Sequence, residues 1–167
     1  YGDKMDFNID DMKISDWPQV REIYLEGIGT GYSTFEYEAP DWERWDLGHL
    51  KIGRLVARRE EEVMGWVALS PVSARAAYAG VAEVSVYVRK RYWRNRIGSC
   101  LLTSLIDVTE RNNIWTIQAT VLQDNQASFA LFTRSGFRQV GVRERIAKMK
   151  NGEWRNTLLF ERRSPLI

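Results

Sequence analysis

The chain has 167 residues, with 24 Lys/Arg against 22 Asp/Glu and a net charge of +2, which suits one globular domain over 1–167 and excludes a general nucleic-acid binder. No apolar run reaches the length of a membrane span and the first residues lack a signal-type apolar segment, so the expectation is a cytoplasmic protein with no membrane association. Cys100 is the only cysteine, which rules out an intrachain disulfide.

Tyr1-Gly2 reads either as a native start or as residues added in cloning. Phe7–Ile9 reads as a short strand. Ser15 or Asp16 caps a helix with Pro18 in its first turn and Val20, Ile23, Tyr24 and Ile28 at helical spacing. Gly27, Gly29 and Gly31 are expected to break that helix and start a mobile stretch that ends near Thr34-Phe35. A Trp-rich helix from Pro40 to about His49 follows, then a hairpin of Leu55–Arg59 and Val63–Ser70. After a loop from Pro71 to Gly80, a strand begins near Glu83. Its pleat puts Glu83, Ser85 and Tyr87 on one face and Val84, Val86 and Val88 on the other.

A loop carrying Arg89, Lys90, Arg91, Arg94 and Arg96 delivers Gly98 and Ser99 to the next helix, which places Ile97, Leu101, Leu105 and Val108 on one face. Trp115–Val121 is a strand, and Asp124 or Asn125 caps a helix to Ser135 with Gly136 just beyond. Further strands lie between Phe137 and Glu161, turned at Lys150–Glu153. The order predicts an α/β (α+β) fold of three layers with a largely antiparallel sheet.

A strand, a cationic loop and a helix N-terminus make a phosphate-holding device, because the free N–H groups and the dipole there favour an anion. On the residues alone, Glu83 reads as a solvent-facing strand carboxylate, and Arg75 reads equally as a surface ion-pair partner or a grip for a carboxylate. His49 is expected at the surface without a metal-spaced partner, so neither a metal nor a His-based triad is expected. Cys100 is expected to be packed and inert, and Trp42, Trp45 and Trp66 to be core or lid residues. A base-stacking platform at Tyr92-Trp93 is the weaker reading of that segment, and no nucleic-acid partner is expected.

Taken together, these segments resemble the GNAT N-acetyltransferases, and more narrowly the branch acting on phosphinothricin and methionine sulfoximine. The likeness is carried in order by Ile23-Tyr24, Ser33-Thr34-Phe35, Ala74-Arg75 with Tyr78, Ala82-Glu83, Val86-Tyr87-Val88, Arg94 to Ser99, Asn125 to Ser128, Gly136-Phe137 and Gly152-Glu153-Trp154. The resemblance implies a central, mostly antiparallel mixed sheet that splays at the acetyl-CoA strand and is flanked by helices. It implies acetyl-CoA as co-substrate, a small-molecule amine as acceptor and a homodimer. Glu83 becomes the implied base and the amide of Val88 the donor to the thioester oxygen. Val86, Tyr87 and Val88 would line the pantetheine arm, with Asn125 and Ser128 beyond it. Arg91, Trp93, Arg94, Asn95, Arg96, Ile97, Gly98 and Ser99 would hold the pyrophosphate, and Phe35, Arg75 and Tyr78, with Glu83, the acceptor.

Two departures stand out. Arg94 and Arg96 occupy loop positions where the family favours glycine, and Phe132 stands where many relatives have a Tyr or His able to protonate the departing thiolate. They leave a non-catalytic acyl-CoA-binding module as an alternative reading; an enzyme acting on a protein amine, which would need an open acceptor groove, is another.

Overall fold

The computed structural model describes residues 5–167, so Tyr1 and Gly2 lie outside it. Seven strands, β1 (Asn8–Asp11), β2 (Leu55–Arg59), β3 (Glu62–Pro71), β4 (Val81–Val88), β5 (Thr116–Leu122), β6 (Arg138–Lys148) and β7 (Trp154–Arg163), form one sheet in the order β1-β2-β3-β4-β5-β7-β6. Every neighbouring pair is antiparallel except β4 and β5.

Helices α1 (Trp17–Thr30) and α2 (Trp42–Gly48) cover one face, where Val20, Ile23 and Trp45 pack on Val56, Val63, Trp66 and Ala68. Helices α3 (Ile97–Arg111) and α4 (Gln126–Arg134) cover the other, where Ile97, Leu101, Leu105 and Phe132 join Met64, Val84, Ile117, Leu158 and Phe160. This is the expected three-layer α/β arrangement. No helix among the described residues is long and apolar enough to cross a membrane.

The predicted break of the first helix does not occur. α1 runs through Gly27 and Gly29 and stops only at Gly31, which takes the left-handed conformation at φ 75°. Packing of Val20 and Ile23, 0% and 1% exposed, holds the helix against the poor propensity of its glycines. Gly27 serves a different purpose: a Cβ there would lie 2.6 Å from the Tyr87 ring, so its absence lets α1 approach β4. Gly65 does the same on the opposite face. A Cβ on it would sit 2.9 Å from the Tyr87 carbonyl oxygen and 3.2 Å from Ile97, so the start of α3 is seated directly against β3 and β4.

Candidate active site

The sheet parts at its centre. β4 and β5 stay in register only over Val81–Glu83 against Thr116–Gln118, while β3 continues beside β4 to the pair Gly65–Val88. The expected splay is therefore present, and Glu83 is the last β4 residue paired to β5.

Which backbone groups face the gap follows from the ladder. Arg89 N–H donates to Met64 O at 2.8 Å, so Arg89–Met64 is a hydrogen-bonded pair and Val88–Gly65, one step back, is not. By the same alternation Tyr87 bonds to Trp66, whereas Val86 and Val88 turn their N–H and C=O groups away from β3, toward the gap. The Val88 carbonyl there accepts from the indole Nε1 of Trp93 at 2.8 Å. Of Val86, Tyr87 and Val88, only Val86 and, through its N–H, Val88 offer free backbone groups. The Tyr87 side chain points to the opposite layer, stacked on Trp66 at 4.9 Å and edge-on to Tyr24 at 5.1 Å.

Glu83 is half-buried at the apex of the split. Its Oε1 accepts from Gln118 Nε2 at 3.1 Å and from Thr120 Oγ1 at 2.8 Å. Neither partner is apparent from the motif, yet strand parity could have found them: in β5 they are the polar alternates of Ile117, Ala119 and Val121.

The basic loop opens on Arg89, which is buried. Its Nε donates to Val63 O at 3.2 Å and its Nη1 to Glu22 at 3.2 Å, while Lys90 N–H donates to Glu26 at 2.7 Å. The Tyr92 hydroxyl donates to Glu62 at 2.6 Å. These bonds fasten the loop to α1 and β3. In the sequence Arg89 is one loop cation among five; its burial depends on packing that no local pattern reveals.

Beyond this anchor the backbone is unusual. Arg94 and Arg96 both adopt the left-handed conformation, at φ 65° and 63°, at the two positions where the family favours glycine. The Asn95 side chain closes the turn on the carbonyls of Tyr92 and Trp93 at 3.1 and 3.0 Å. No described residue accepts from the N–H groups of Arg94, Asn95, Arg96, Ile97, Gly98 or Ser99, and the N-cap Arg96 supplies no side-chain cap. Successive N–H groups left open at a helix N-terminus form a concave anion cradle. Arg91 pairs with Glu62, while Arg94 and Arg96 have no acidic partner among the described residues.

Asn125 is buried and caps α4, its Oδ1 accepting from Ser128 N–H at 3.1 Å. Arg75 and Tyr78 are exposed and lie together, the guanidinium 5.8 Å from the ring centre. Phe35 is half-buried in the segment after α1. No hydrogen bond or ion pair among the described residues joins Arg75, Tyr78 or Phe35 to Glu83. In Phe35's segment, Tyr37 straps the chain to the β6–β7 turn, its hydroxyl accepting from Lys150 N–H at 2.5 Å. Burial pushes the Tyr24 and Tyr87 phenols up, with the nearby Thr34 hydroxyl opposing it in both.

Two residues differ from expectation. Cys100 is exposed, because it lies on the Thr103–Asp107 stripe of α3 and not on the Ile97–Leu101–Leu105 stripe. His49 is half-buried, its ring stacked on Trp45 at 4.1 Å with Nδ1 2.6 Å from Trp45 O. Phe132 is buried against Phe137 and Phe160 and has no proton to give.

Known proteins share this framework. The family model described as "Acetyltransferase (GNAT) family" matches residues 17–137. The phosphinothricin N-acetyltransferase of Streptomyces coelicolor is 33% identical over 155 residues, 88% of this chain and 90% of that protein. That of Alcaligenes faecalis is 30% identical over 153 residues, covering 88% of this chain and 77% of its own. The GNAT-superfamily phosphinothricin acetyltransferase of Sinorhizobium meliloti, solved in complex with acetyl-CoA, superposes with a TM-score of 0.83 at 25% identity, over 95% of this chain and 89% of that one. With the family model spanning most of its length and a split sheet at its centre, this chain belongs to the GNAT acetyltransferase family.

Proposed function

We propose that the protein transfers the acetyl group of acetyl-CoA to the amine of a small molecule, an amino acid or an analogue of the phosphinothricin and methionine sulfoximine kind. The observation that carries this reading is the gap itself, with the Val88 N–H turned into it and a carboxylate at its apex. The named activity of the relatives from Streptomyces coelicolor and Alcaligenes faecalis supports the acceptor class.

The residues fit acetyl-CoA. The open N–H groups from Arg94 to Ser99 would take the pyrophosphate, with the Arg94 and Arg96 guanidiniums adding charge-assisted bonds. Trp93, Asn95, Ile97 and Gly98 shape that turn, and Arg91, already held by Glu62, contributes charge at its edge. Val86 would bond the pantetheine arm along the free side of β4, toward Asn125 and Ser128, leaving the Val88 N–H for the thioester. Arg75, beside Tyr78, would grip an acceptor carboxylate, and Phe35 would wall the same pocket.

Chemistry then proceeds by direct attack. Glu83 takes a proton from the acceptor ammonium, and the neutral amine adds to the thioester carbon. The Val88 N–H faces the oxygen on which negative charge develops; losing one such donor in other enzymes costs about 2.7–4 kcal/mol of barrier. The C–S bond breaks, the thiolate leaves unassisted by Phe132, as a thiol with pKa about 8.5 allows, and the second proton on the attached nitrogen passes to water.

A thiol-release assay with acetyl-CoA and a panel of amino acids and analogues, phosphinothricin among them, tests the proposal. Turnover is expected on at least one. Binding of acetyl-CoA by calorimetry with no turnover on any amine would make the protein a binding module instead. Glu83→Gln should lower kcat by about 10²-fold or more and abolish the acid limb of the pH profile; an unchanged profile removes Glu83 as base.

A further inference from the structure

Glu83 is not a free carboxylate on a strand. It is the last residue at which β4 and β5 are in register, and its partner in that register is Gln118. Register partners share a face, as do residues two apart, so Glu83, Gln118 and Thr120 all project to the same side of the sheet. Had the two strands stayed paired, Thr120 would stand opposite Ser85. The strands part instead, and the Thr120 hydroxyl reaches back across the mouth of the split to Glu83 at 2.8 Å. Both hydrogen bonds, from Gln118 and from Thr120, end on Oε1, and no described residue donates to Oε2.

We propose that Thr120 and Gln118 are positioning residues that hold the Glu83 carboxylate by one oxygen and leave Oε2 to receive the acceptor's proton. The inference rests on Glu83 being the base. A carboxylate on a flexible stem would otherwise sample several rotamers, few of them aimed at an amine bound in the gap. Two donors on one oxygen fix the plane of the group.

Thr120 is exposed, and its hydrogen bond to Glu83 lies beyond the last residue pair of the parallel ladder. At this exposed position of β5 a Val would fill the same space as a Thr, so the hydroxyl is the informative atom. Charged neighbours do not supply the same hold. Ser70 faces Glu83 from β3, and Glu161 on β7 lies opposite Gln118 but is itself paired with Arg138. On β4 the next titratable group of this face is Tyr87, and from the loop before β4 come the exposed Arg75 and Tyr78. None of the described Lys, Arg or His residues forms an ion pair with Glu83.

The test is kcat and kcat/KM against pH for the wild type, Thr120→Val, Thr120→Ser, Gln118→Leu, Glu83→Gln and the Glu83→Gln/Thr120→Val double variant, each first checked for an unchanged urea midpoint. Hydrogen bonds to charged groups are worth about tenfold or more. Thr120→Val is therefore expected to lower kcat about tenfold, with the KM for acetyl-CoA unchanged. Thr120→Ser, which keeps the donor, should restore kcat, and Gln118→Leu should act in the same direction. In the Glu83→Gln background Thr120→Val should cost nothing further, because its effect runs through that carboxylate.

An unchanged kcat in Thr120→Val, or an equal loss in both backgrounds, overturns the positioning role while leaving Glu83 as base. A wild-type pH profile in Glu83→Gln overturns the base assignment, and the inference with it. If Thr120→Val shifts the midpoint, rescue of kcat by Thr120→Ser decides the matter.

Discussion

Arg94 and Arg96 keep a glycine's backbone without being glycine. A side chain in the left-handed region costs about 1–2 kcal/mol per residue, and the cost is borne at both positions in the loop that frames the anion cradle. The two guanidiniums, which lack acidic partners among the described residues, are what the chain has in exchange. Arg96→Gly should therefore separate stability from binding. Relief of strain, less about 0.4–1 kcal/mol of added freedom in the unfolded chain, should raise Tm by about 2–4 °C. The same change should raise the KM for acetyl-CoA several-fold. Thermal unfolding and initial rates measure both; a rise in Tm with no change in KM would mean the guanidinium contributes nothing to binding. The sequence made the departure visible, since Arg at a glycine position stands out in the motif. It could not tell whether the loop changed shape or the arginines took the strain. Asn156 pins the left-handed Arg145 in the β6 bulge, its Oδ1 accepting from Arg145 N–H at 2.7 Å and its Nδ2 donating to Gln123 at 2.9 Å.

Among the elements, α2 couples stability to pH through His49 at its C-terminal end. Burial holds the imidazole below its ordinary value of 6.5, with the hydrogen bond to Trp45 O opposing it. A group whose folded pKa is depressed binds fewer protons folded than unfolded, so its contribution is present above 6.5 and drains away as pH falls below it. The urea midpoint of the wild type should fall between pH 7.5 and 5.5 by more than that of His49→Phe, which keeps the stack on Trp45 and has nothing to protonate. Equal losses in the two proteins would remove His49 from this role. Element identities were largely readable, because period-2 alternation in β4 and helical spacing in α3 are local properties. What escaped was tertiary. Gly27 read as a helix breaker because nothing in the sequence announces that a tyrosine ring on β4 needs its space. Cys100 read as packed because one residue's shift around α3 separates the core stripe from the solvent stripe.

For the molecule as a whole, the sheet's topology places the chemistry. The join of β4 to β5 rests on three residue pairs, Val81–Glu83 with Thr116–Gln118, whereas β3 accompanies β4 over Gly65–Val88. The split was expected from the resemblance and not from any residue pattern, since strand register across a parallel pair leaves no local signature. Its alternation gives a measurable prediction. In the ligand-free protein the amides of Val86 and Val88 should exchange with solvent deuterium much faster than those of Tyr87 and Arg89, which are committed to β3. Saturating acetyl-CoA should slow the two valine amides selectively; uniform slow exchange along β4 without ligand would contradict the ladder described. Beyond Glu83, moreover, β4 is an edge strand placed in the middle of a sheet. Proteins ordinarily shield such edges, because unpaired N–H and C=O groups recruit foreign strands. Here the valines that do so on β4 are also those the co-substrate would cover, so the feature that makes the fold catalytic is also its point of exposure to misassembly. Acetyl-CoA would serve this protein as a guard of its own sheet as well as a source of acetyl groups.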